Sequence, residues 1–388
     1  VIRVGFLYAS AGTTWLGGVS YYRNLFSALK DLPQRQIEPV LVTSRHNYDA
    51  LKKQFPEASI LHLPLLDAPE VLRKLRRAMH LLTGRDLLLE QALRSRGIDL
   101  VSHSGYLGKH SAIPSIAWIP DFQDLLFPDF FSAAERASRR RNLQNTCRHA
   151  SVLLLSSEAA RADLRGAGMD CSVATAVLSF VAAVPSPANI VAKDDLRSRY
   201  GVGDKFFHLP NQFWIHKNHR LVVEAIALLK EQGQPFEVIA TGNTHDPRQP
   251  DYFTSLLDTV DRLGVKHLFK PLGIVPYQDL MGFMRHAVAV INPSWFEGWS
   301  TTVEEAKSMG KSILLSDIPV HREQAPDRGT FFSSENPHEL ATAMSSAWDR
   351  WDEDTDKRYV GEAMSRLQDR QRDFARRYQD IVLSAMGR

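Results

Sequence analysis

The feature that most constrains this chain is an alternation running from end to end: short apolar runs rich in Val, Ile and Leu, separated by longer stretches with helical spacing of apolar residues. Runs that lack a polar face suit strands buried on both sides, and parallel sheets covered by crossover helices bury strands in that way. An α/β fold is therefore expected throughout. In the first half the strand candidates are Val4 to Tyr8, Pro39 to Thr43, Ile60 to Leu63, Asp99 to His103, Ser115 to Ile119 and Val152 to Leu155. A second series follows at Phe206 to Leu209, Phe236 to Thr241, His267 to Lys270, Ala287 to Ile291, Ser312 to Leu315 and Thr330 to Phe332. Between them Val184-Pro185-Ser186-Pro187-Ala188-Asn189 has linker composition. With 388 residues, too many for one ordinary core, this predicts doubly wound domains at 1–184 and 185–365. The charged stretch from Asp354 onward, with spaced Leu, Phe, Tyr and Ile, reads as amphipathic helix. Ligands of open α/β sheets bind beyond the carboxyl ends of the strands, so a cleft between two facing domains is the expected place for chemistry.

Composition narrows the function classes. Apolar residues at 44% and charged residues at 23% suit a globular chain, and no apolar run is long enough to span a bilayer. A net charge of +3 favours anionic ligands without implying nucleic acid. Cys147 and Cys171 have no metal-type spacing. Asp352, Asp354 and Asp356 alternate as in a calcium loop, but the glycine and closing glutamate are missing, so no metal is expected. The first residues read as a strand and not as an export signal, which suggests cytoplasmic residence. The basic run Arg73-Lys74-Leu75-Arg76-Arg77 reads first as a solvated helix and second as a peripheral contact with anionic lipid.

The sharpest window is Asn292-Pro293-Ser294-Trp295-Phe296-Glu297-Gly298-Trp299-Ser300-Thr301-Thr302-Val303-Glu304-Glu305. Thr301 with Glu304, and Thr302 with Glu305, each fit a capping box, so a helix should open within this run. The free N–H groups of a helix start, with Gly298 just before it, suit an anion such as a nucleotide diphosphate. Glu297 and Glu305 could grip hydroxyls on either side. The residues alone allow an ordinary helix cap equally well.

Glu297-Gly298, Glu305-Ala306 and the following Met309-Gly310 resemble the Glu-x7-Glu signature of the retaining glycosyltransferases of family four, also called group 1 glycosyltransferases. The resemblance implies a GT-B fold: two facing Rossmann-like domains, with residues 366–388 as a helix returning to the first. It places Glu297 beside the donor sugar, Glu305 on the ribose hydroxyls and the amides around Ser300, Thr301 and Thr302 on phosphate. Where the family has a Gly-Leu-Pro-like stretch, this chain has Ser300-Thr301-Thr302.

Other segments support the resemblance. Pro210-Asn211-Gln212-Phe213-Trp214-Ile215-His216-Lys217 leads into a helix, and Lys217 matches the family lysine that clamps the diphosphate. Gln212 stands in place of the family arginine, so Asn211 or His216 is expected to compensate. Gly17 and Gly18 match an N-terminal glycine loop near donor phosphates and acceptor, although a plain turn explains them as well. Asp121, in Trp118-Ile119-Pro120-Asp121-Phe122-Gln123, could orient an acceptor hydroxyl or take its proton; an Asx turn is the other reading. Gly242, Gly273 and Ile274 resemble family loops around base and phosphates. His103, alone at a strand end, reads as structural. Gly310-Lys311-Ser312 imitates the tail of a phosphate-binding loop but lacks its first glycine.

The resemblance implies sugar transfer with retention, without metal or cofactor. The donor would be a UDP- or GDP-sugar, and the acceptor a glycan or lipid-linked molecule in surface polysaccharide synthesis. A nucleotide-sugar epimerase or phosphorylase of the same fold is the alternative within enzymes. A two-lobed sugar or nucleotide receptor is the alternative outside them.

Overall fold

The computed structural model describes residues 1–8, 16–56, 58–108, 110–169 and 171–387. The chain forms two compact units, Val1–Phe180 with Asp369–Arg388, and Val181–Gln368.

The first unit contains strands β1 (Ile2–Leu7), β2 (Ile37–Thr43), β3 (Ser59–His62), β4 (Leu100–Ser102), β5 (Ser115–Ile119), β6 (Val152–Leu155) and β7 (Ala174–Val177). All pair in parallel, in the order β3-β2-β1-β4-β5-β6-β7. Its helices are α1 (Leu16–Lys30), α2 (Arg45–Gln54), α3 (Glu70–Thr83), α4 (Leu87–Arg94), α5 (Gln123–Leu126), α6 (Ala133–His149) and α7 (Glu158–Gly166). Six strands fall at the expected apolar runs. The seventh, β7, gives no such run: it lies at the sheet edge, where half-exposed Ala174, Thr175, Ala176 and Val177 need no double-sided burial.

The second unit contains α8 (Lys193–Tyr200), β8 (Phe207–Leu209), α9 (His219–Glu231), β9 (Val238–Thr241), α10 (Tyr252–Arg262), β10 (Phe269–Gly273) and α11 (Tyr277–His286). It continues with β11 (Val290–Asn292), α12 (Thr301–Ser308), β12 (Ile313–Ser316), α13 (Pro319–Gln324), β13 (Gly329–Phe332) and α14 (Pro337–Arg350). The sheet is parallel, in the order β10-β9-β8-β11-β12-β13. From β8 the chain winds outward through β9 and β10, then returns to β11 and winds the other way. The carboxyl ends of β8 and β11 therefore flank the point where the order reverses, the place such sheets offer to a ligand.

The loops at that point leave firmly anchored elements. Along α9, Leu221, Val222, Ala225, Ile226 and Leu229 are buried in one cluster with Phe207, Leu209, Val238 and Ala240. On α12, Val303 and Ala306 pack with Met281, Met284, Val290, Ile313 and Leu315. Each such aliphatic side chain contributes about 1.5–3 kcal/mol on burial.

The last helix, α15, is one 33-residue element, Glu353–Ala385, that starts in the second unit and ends in the first. Near its start Asp356 is 1% exposed. Its carboxylate accepts from Arg285 (2.9 Å), Lys311 (2.7 Å) and Arg328 (2.7 Å). Lys311, the residue that imitates a phosphate-binding loop, is buried here and also donates to the carbonyl of Ala287 at 2.9 Å. Asp352 caps the helix, accepting from the N–H of Thr355 at 2.8 Å. The alternating aspartates thus face different ways because they lie on a helix and not on a loop. At the other end, Phe374, Tyr378 and Val382 are buried in the first unit, and Gln379 Oε1 accepts from the backbone N–H of Gln36 at 2.7 Å. No helix among the described residues is long and apolar enough to cross a membrane.

Candidate active site

Beyond β8 the chain turns through a single 3-10 turn, Ile215–Lys217, before α9. The turn is fixed from several sides: Asp246 Oδ2 accepts from the N–H of Ile215 at 3.2 Å, and the carbonyl of His216 accepts from the N–H of Trp295 at 2.9 Å. Asn218 takes a left-handed conformation, φ 55°, and makes no side-chain cap to α9. Its amide instead donates to the carbonyls of Pro293 (3.2 Å) and Ser334 (2.9 Å), stitching this loop to the one beyond β11.

That stitching brings Lys217 to Glu297. Lys217 Nζ lies 2.7 Å from both carboxylate oxygens, with 13% and 9% of the two side chains exposed. Ser294 Oγ is 2.8 Å from Glu297 Oε1 and 2.7 Å from Asn292 Oδ1. Burial pushes the Glu297 carboxyl up, but the charges of Lys217 and of nearby His321 and His216, with the hydrogen bonds from Lys217, outweigh it and hold the group at about 2. It is a carboxylate at any physiological pH. His216, desolvated and beside Lys217, is pushed down to about 3 and stays neutral.

The helix start differs in detail from the capping boxes expected at Thr301 and Thr302. Ser300 is the N-cap, its Oγ accepting from the N–H of Val303 at 3.5 Å. Glu304 turns inward and accepts from Gln324 Nε2 at 3.2 Å. Gln324 also brackets Ser300, accepting from its N–H at 3.2 Å and donating to its carbonyl at 3.0 Å. Asn292 Nδ2 donates to Ser300 Oγ at 2.8 Å, tying the end of β11 to the cap. The amides of Thr301 and Thr302, in the first turn, have no intrahelical acceptor. Thr302 Oγ1 donates to the carbonyl of Pro210 at 3.1 Å and lies 3.3 Å from Asn211 Oδ1, while Asn211 Nδ2 donates to Asn292 Oδ1 at 3.3 Å. Asn211 thus joins the two strand ends.

Glu305, one turn into α12, accepts from the Tyr277 hydroxyl at 3.4 Å. Burial lifts its carboxyl to about 7, with the single Tyr277 bond acting against the rise. The two glutamates of the signature are therefore electrostatically opposite: Glu297 is paired and ionised, whereas Glu305 is desolvated and holds its proton close to neutral pH.

Gln212 Oε1 accepts from the N–H of Asn243 at 3.0 Å and so braces the next loop. Gly242, in that loop, has φ 152°; a Cβ there would lie 2.3 Å from the carbonyl oxygen of Asn211. Only glycine allows the two loops to approach so closely. Gly242 N–H donates to the carbonyl of Gly273 at 2.8 Å, and Ile274 next to it is 68% exposed. Gly298 lies in the turn before α12.

Three anticipated residues belong to the first unit. Gly17 and Gly18 lie in the first turn of α1 and not in a loop, because the apolar stripe Val19, Tyr22, Leu25, Phe26 and Leu29 carries the helix back to Leu16. The preceding Ala9–Trp15 lies outside the described residues. Asp121 Oδ1 accepts from the N–H of Gln123 at 3.1 Å, an Asx turn opening α5. His103, read as structural, is buried with its Nε2 2.7 Å from Tyr21 OH and its Nδ1 2.7 Å from Ser102 Oγ. Desolvation holds it at about 3.

The residues that sequence reasoning did not assign are Asn292, Ser294, Gln324 and Tyr277. Asn292 carries a signal, a polar side chain ending the apolar run Val288-Ala289-Val290-Ile291. Gln324 and Tyr277 carry none, since each meets the site from another element.

Residues 194–364 match the family model described as glycosyl transferases group 1. A comparison with curated protein sequences returned no match. Among solved structures, HepE from Anabaena in complex with UDP and glucose is similar at a TM-score of 0.69 and 17% identity, covering 99% of this chain and 100% of that one. Sucrose-phosphate synthase from Thermosynechococcus elongatus gives 0.67 and 14%, covering 99% and 100%. WaaG, a glycosyltransferase involved in lipopolysaccharide biosynthesis, gives 0.57 and 14%, covering 96% and 95%. At these identities the likeness establishes the fold, which is GT-B.

Proposed function

We propose that this chain, whose residues 194–364 form a group 1 glycosyl transferase domain, moves a sugar from a UDP- or GDP-sugar to a hydroxyl of a glycan or lipid-linked acceptor, with retention at the anomeric carbon. The observation that carries this reading is the Lys217–Glu297 pair set beside the open amino end of α12. An ammonium has three N–H groups. Two of them meet Glu297, which leaves the third for a phosphate oxygen. The first-turn amides of Thr301 and Thr302 and the positive end of the helix receive the rest of the diphosphate.

In this reading Glu297 accepts hydrogen bonds from the donor sugar, and Glu305 holds the ribose hydroxyls. Asn211, Gln212, Gly242, Gly273, Ile274, Gly298 and Ser300 shape the donor pocket. Gly17, Gly18 and Asp121 serve the acceptor and the outer phosphates. The bond from the anomeric carbon to the phosphate oxygen breaks while the acceptor oxygen bonds to the same face of that carbon. The acceptor's proton passes to the departing phosphate oxygen. Lys217 and the amides offset the negative charge that develops there, a role that needs no metal. The UDP complex of HepE favours uridine as the base, and the likeness to WaaG favours surface polysaccharide synthesis at the cytoplasmic side.

The test is a thermal-shift and hydrolysis screen of UDP-, GDP- and ADP-sugars without added metal, on the wild type and on Glu305→Ala. One nucleotide class should stabilise only the wild type and slowly release its diphosphate. No stabilisation by any nucleotide, or equal stabilisation of both proteins, overturns the donor site.

A further inference from the structure

In the first unit, α6 is half buried and half overhanging. Its carboxyl-terminal half buries Leu143, Thr146 and Cys147, with Leu143 and Cys147 in a cluster that includes Phe122, Leu153 and Leu155. From Ser132 to Asn142 every residue is exposed. Helical spacing carries the buried stripe back through positions 140, 139 and 136, and all three are arginine. Arg141 follows them. Arg139 meets Asp124 at 3.3 Å and lies over the Phe131 ring at 4.7 Å, which places the overhang against α5 and its loop. Arg136, Arg140 and Arg141 have no ion pair among the described residues. The only acid of the helix, Glu135, is used in its capping box with Ser132.

The segment beneath the overhang is apolar and outward-facing. Leu125 is 39% and Leu126 50% exposed, and the half-exposed rings of Phe127 and Phe130 stack at 5.4 Å. A neighbouring helix continues the same character: on α3, Val71, Leu75, Ala78 and Leu82 fall on one side and are all exposed, with Arg73 and Lys74 on the flanks. The ring of Tyr106 bridges the two helices, 5.5 Å from His80 of α3 and 5.5 Å from His149 of α6. Both helices start beyond strand carboxyl ends, so Val71, Arg73, Leu75, Leu125, Leu126 and the arginines share one edge of the sheet.

We infer that this edge docks on an anionic lipid bilayer, with Leu125 and Leu126 entering the headgroup boundary and Arg136, Arg140 and Arg141 meeting lipid phosphates. Arginines without partners beside exposed leucine and stacked phenylalanine match a surface that is apolar inside and negative at its face. A soluble anion would satisfy the arginines but leave the apolar segment in water. The inference stands apart from the donor site, whose residues lie in the second unit.

The experiment is co-sedimentation of the full chain with phosphatidylcholine vesicles, with and without about one third phosphatidylglycerol. The wild type should pellet with the anionic vesicles only, and less so as salt rises. Removing three surface arginines, at about fivefold each, should lower the partition of Arg136→Ser/Arg140→Ser/Arg141→Ser by about a hundredfold. Leu125→Ser/Leu126→Ser should weaken it at unchanged salt dependence. Melting temperature and nucleotide-induced shift should match the wild type in both variants, which keeps a folding failure or a donor-site failure distinct. A wild type that ignores anionic vesicles overturns the inference, as do variants that partition like the wild type. A dimer of the wild type that the arginine variant lacks, with no vesicle binding, assigns the surface to a second copy of the chain instead.

Discussion

Lys217 donates to both carboxylate oxygens of Glu297 at 2.7 Å, joining two loops that are 80 residues apart in the chain and leaving one ammonium proton uncommitted. The pair orients both residues before any donor arrives. Because both side chains are largely buried, neither tolerates loss of the other.

Lys217→Ala therefore strands a buried carboxylate and should destabilise the protein by about 3–5 kcal/mol, with Glu297→Gln/Lys217→Met costing less than the single change. Urea unfolding of the four-member cycle measures this; a coupling within about 0.5 kcal/mol of zero would show that the pair contributes little. The pH dependence has a definite sign. Glu297 sits at about 2 when folded, against its ordinary 4.5. Its stabilisation is full above the ordinary value and is lost as pH falls through the folded one, a loss that Glu297→Gln should lack.

Glu305 is expected to act in the opposite sense. Its folded value near 7 exceeds the ordinary 4.5, so the folded state binds the proton more tightly and stability falls as pH rises from the lower value through the higher. Glu305→Gln should leave stability unchanged in mild acid and raise it at pH above neutrality, by at most on the order of 3 kcal/mol. Melting curves of both proteins across that range provide the check. The same variant should bind nucleotide more weakly.

Gly242→Ala should force the Asn211–Gln212 segment to move, since the new methyl meets the Asn211 carbonyl oxygen at 2.3 Å and Gln212 Cα at 2.9 Å. A cost of about 1–3 kcal/mol and a marked loss of nucleotide-induced thermal shift are expected. Gly264→Ala, also at positive φ but meeting only the end of the Lys230 side chain, is the control that should spare nucleotide binding.

Asp356→Asn removes the one carboxylate shared by Arg285, Lys311 and Arg328. Lys311 is already pushed down to about 8, by burial against the pull of Asp356. Without that pull it should lose its proton near neutral pH, and stability should fall by about 3–5 kcal/mol. Denaturation monitored by circular dichroism tests this, and Asp354→Asn, on an exposed residue of the same run, should have no effect.

What the sequence made legible was local. Strands buried on both faces stand out as apolar runs, as at Val152–Leu155, while β7 does not, because an edge strand carries no such requirement. The run from Asn292 to Glu305 announced a helix start, but the exact cap depended on Gln324 and Asn292 fixing Ser300, contacts that reach across the fold. The aspartates at 352, 354 and 356 read as a possible metal loop until a helix separated their directions. Asp356 finds cations 28, 45 and 71 residues away, and no spacing rule links them.

The division of α15 between the units has a consequence for synthesis. The ribosome releases the first 180 residues long before the last twenty, yet Phe374, Tyr378 and Val382 fill space in the interior of the earlier-made unit. That unit must wait, incompletely filled, until translation ends. A nascent chain stalled before Asp369 should accordingly be a better chaperone client and protease substrate than the released protein, and a gene shortened at its 3′ end should damage the part of the protein encoded at its 5′ end.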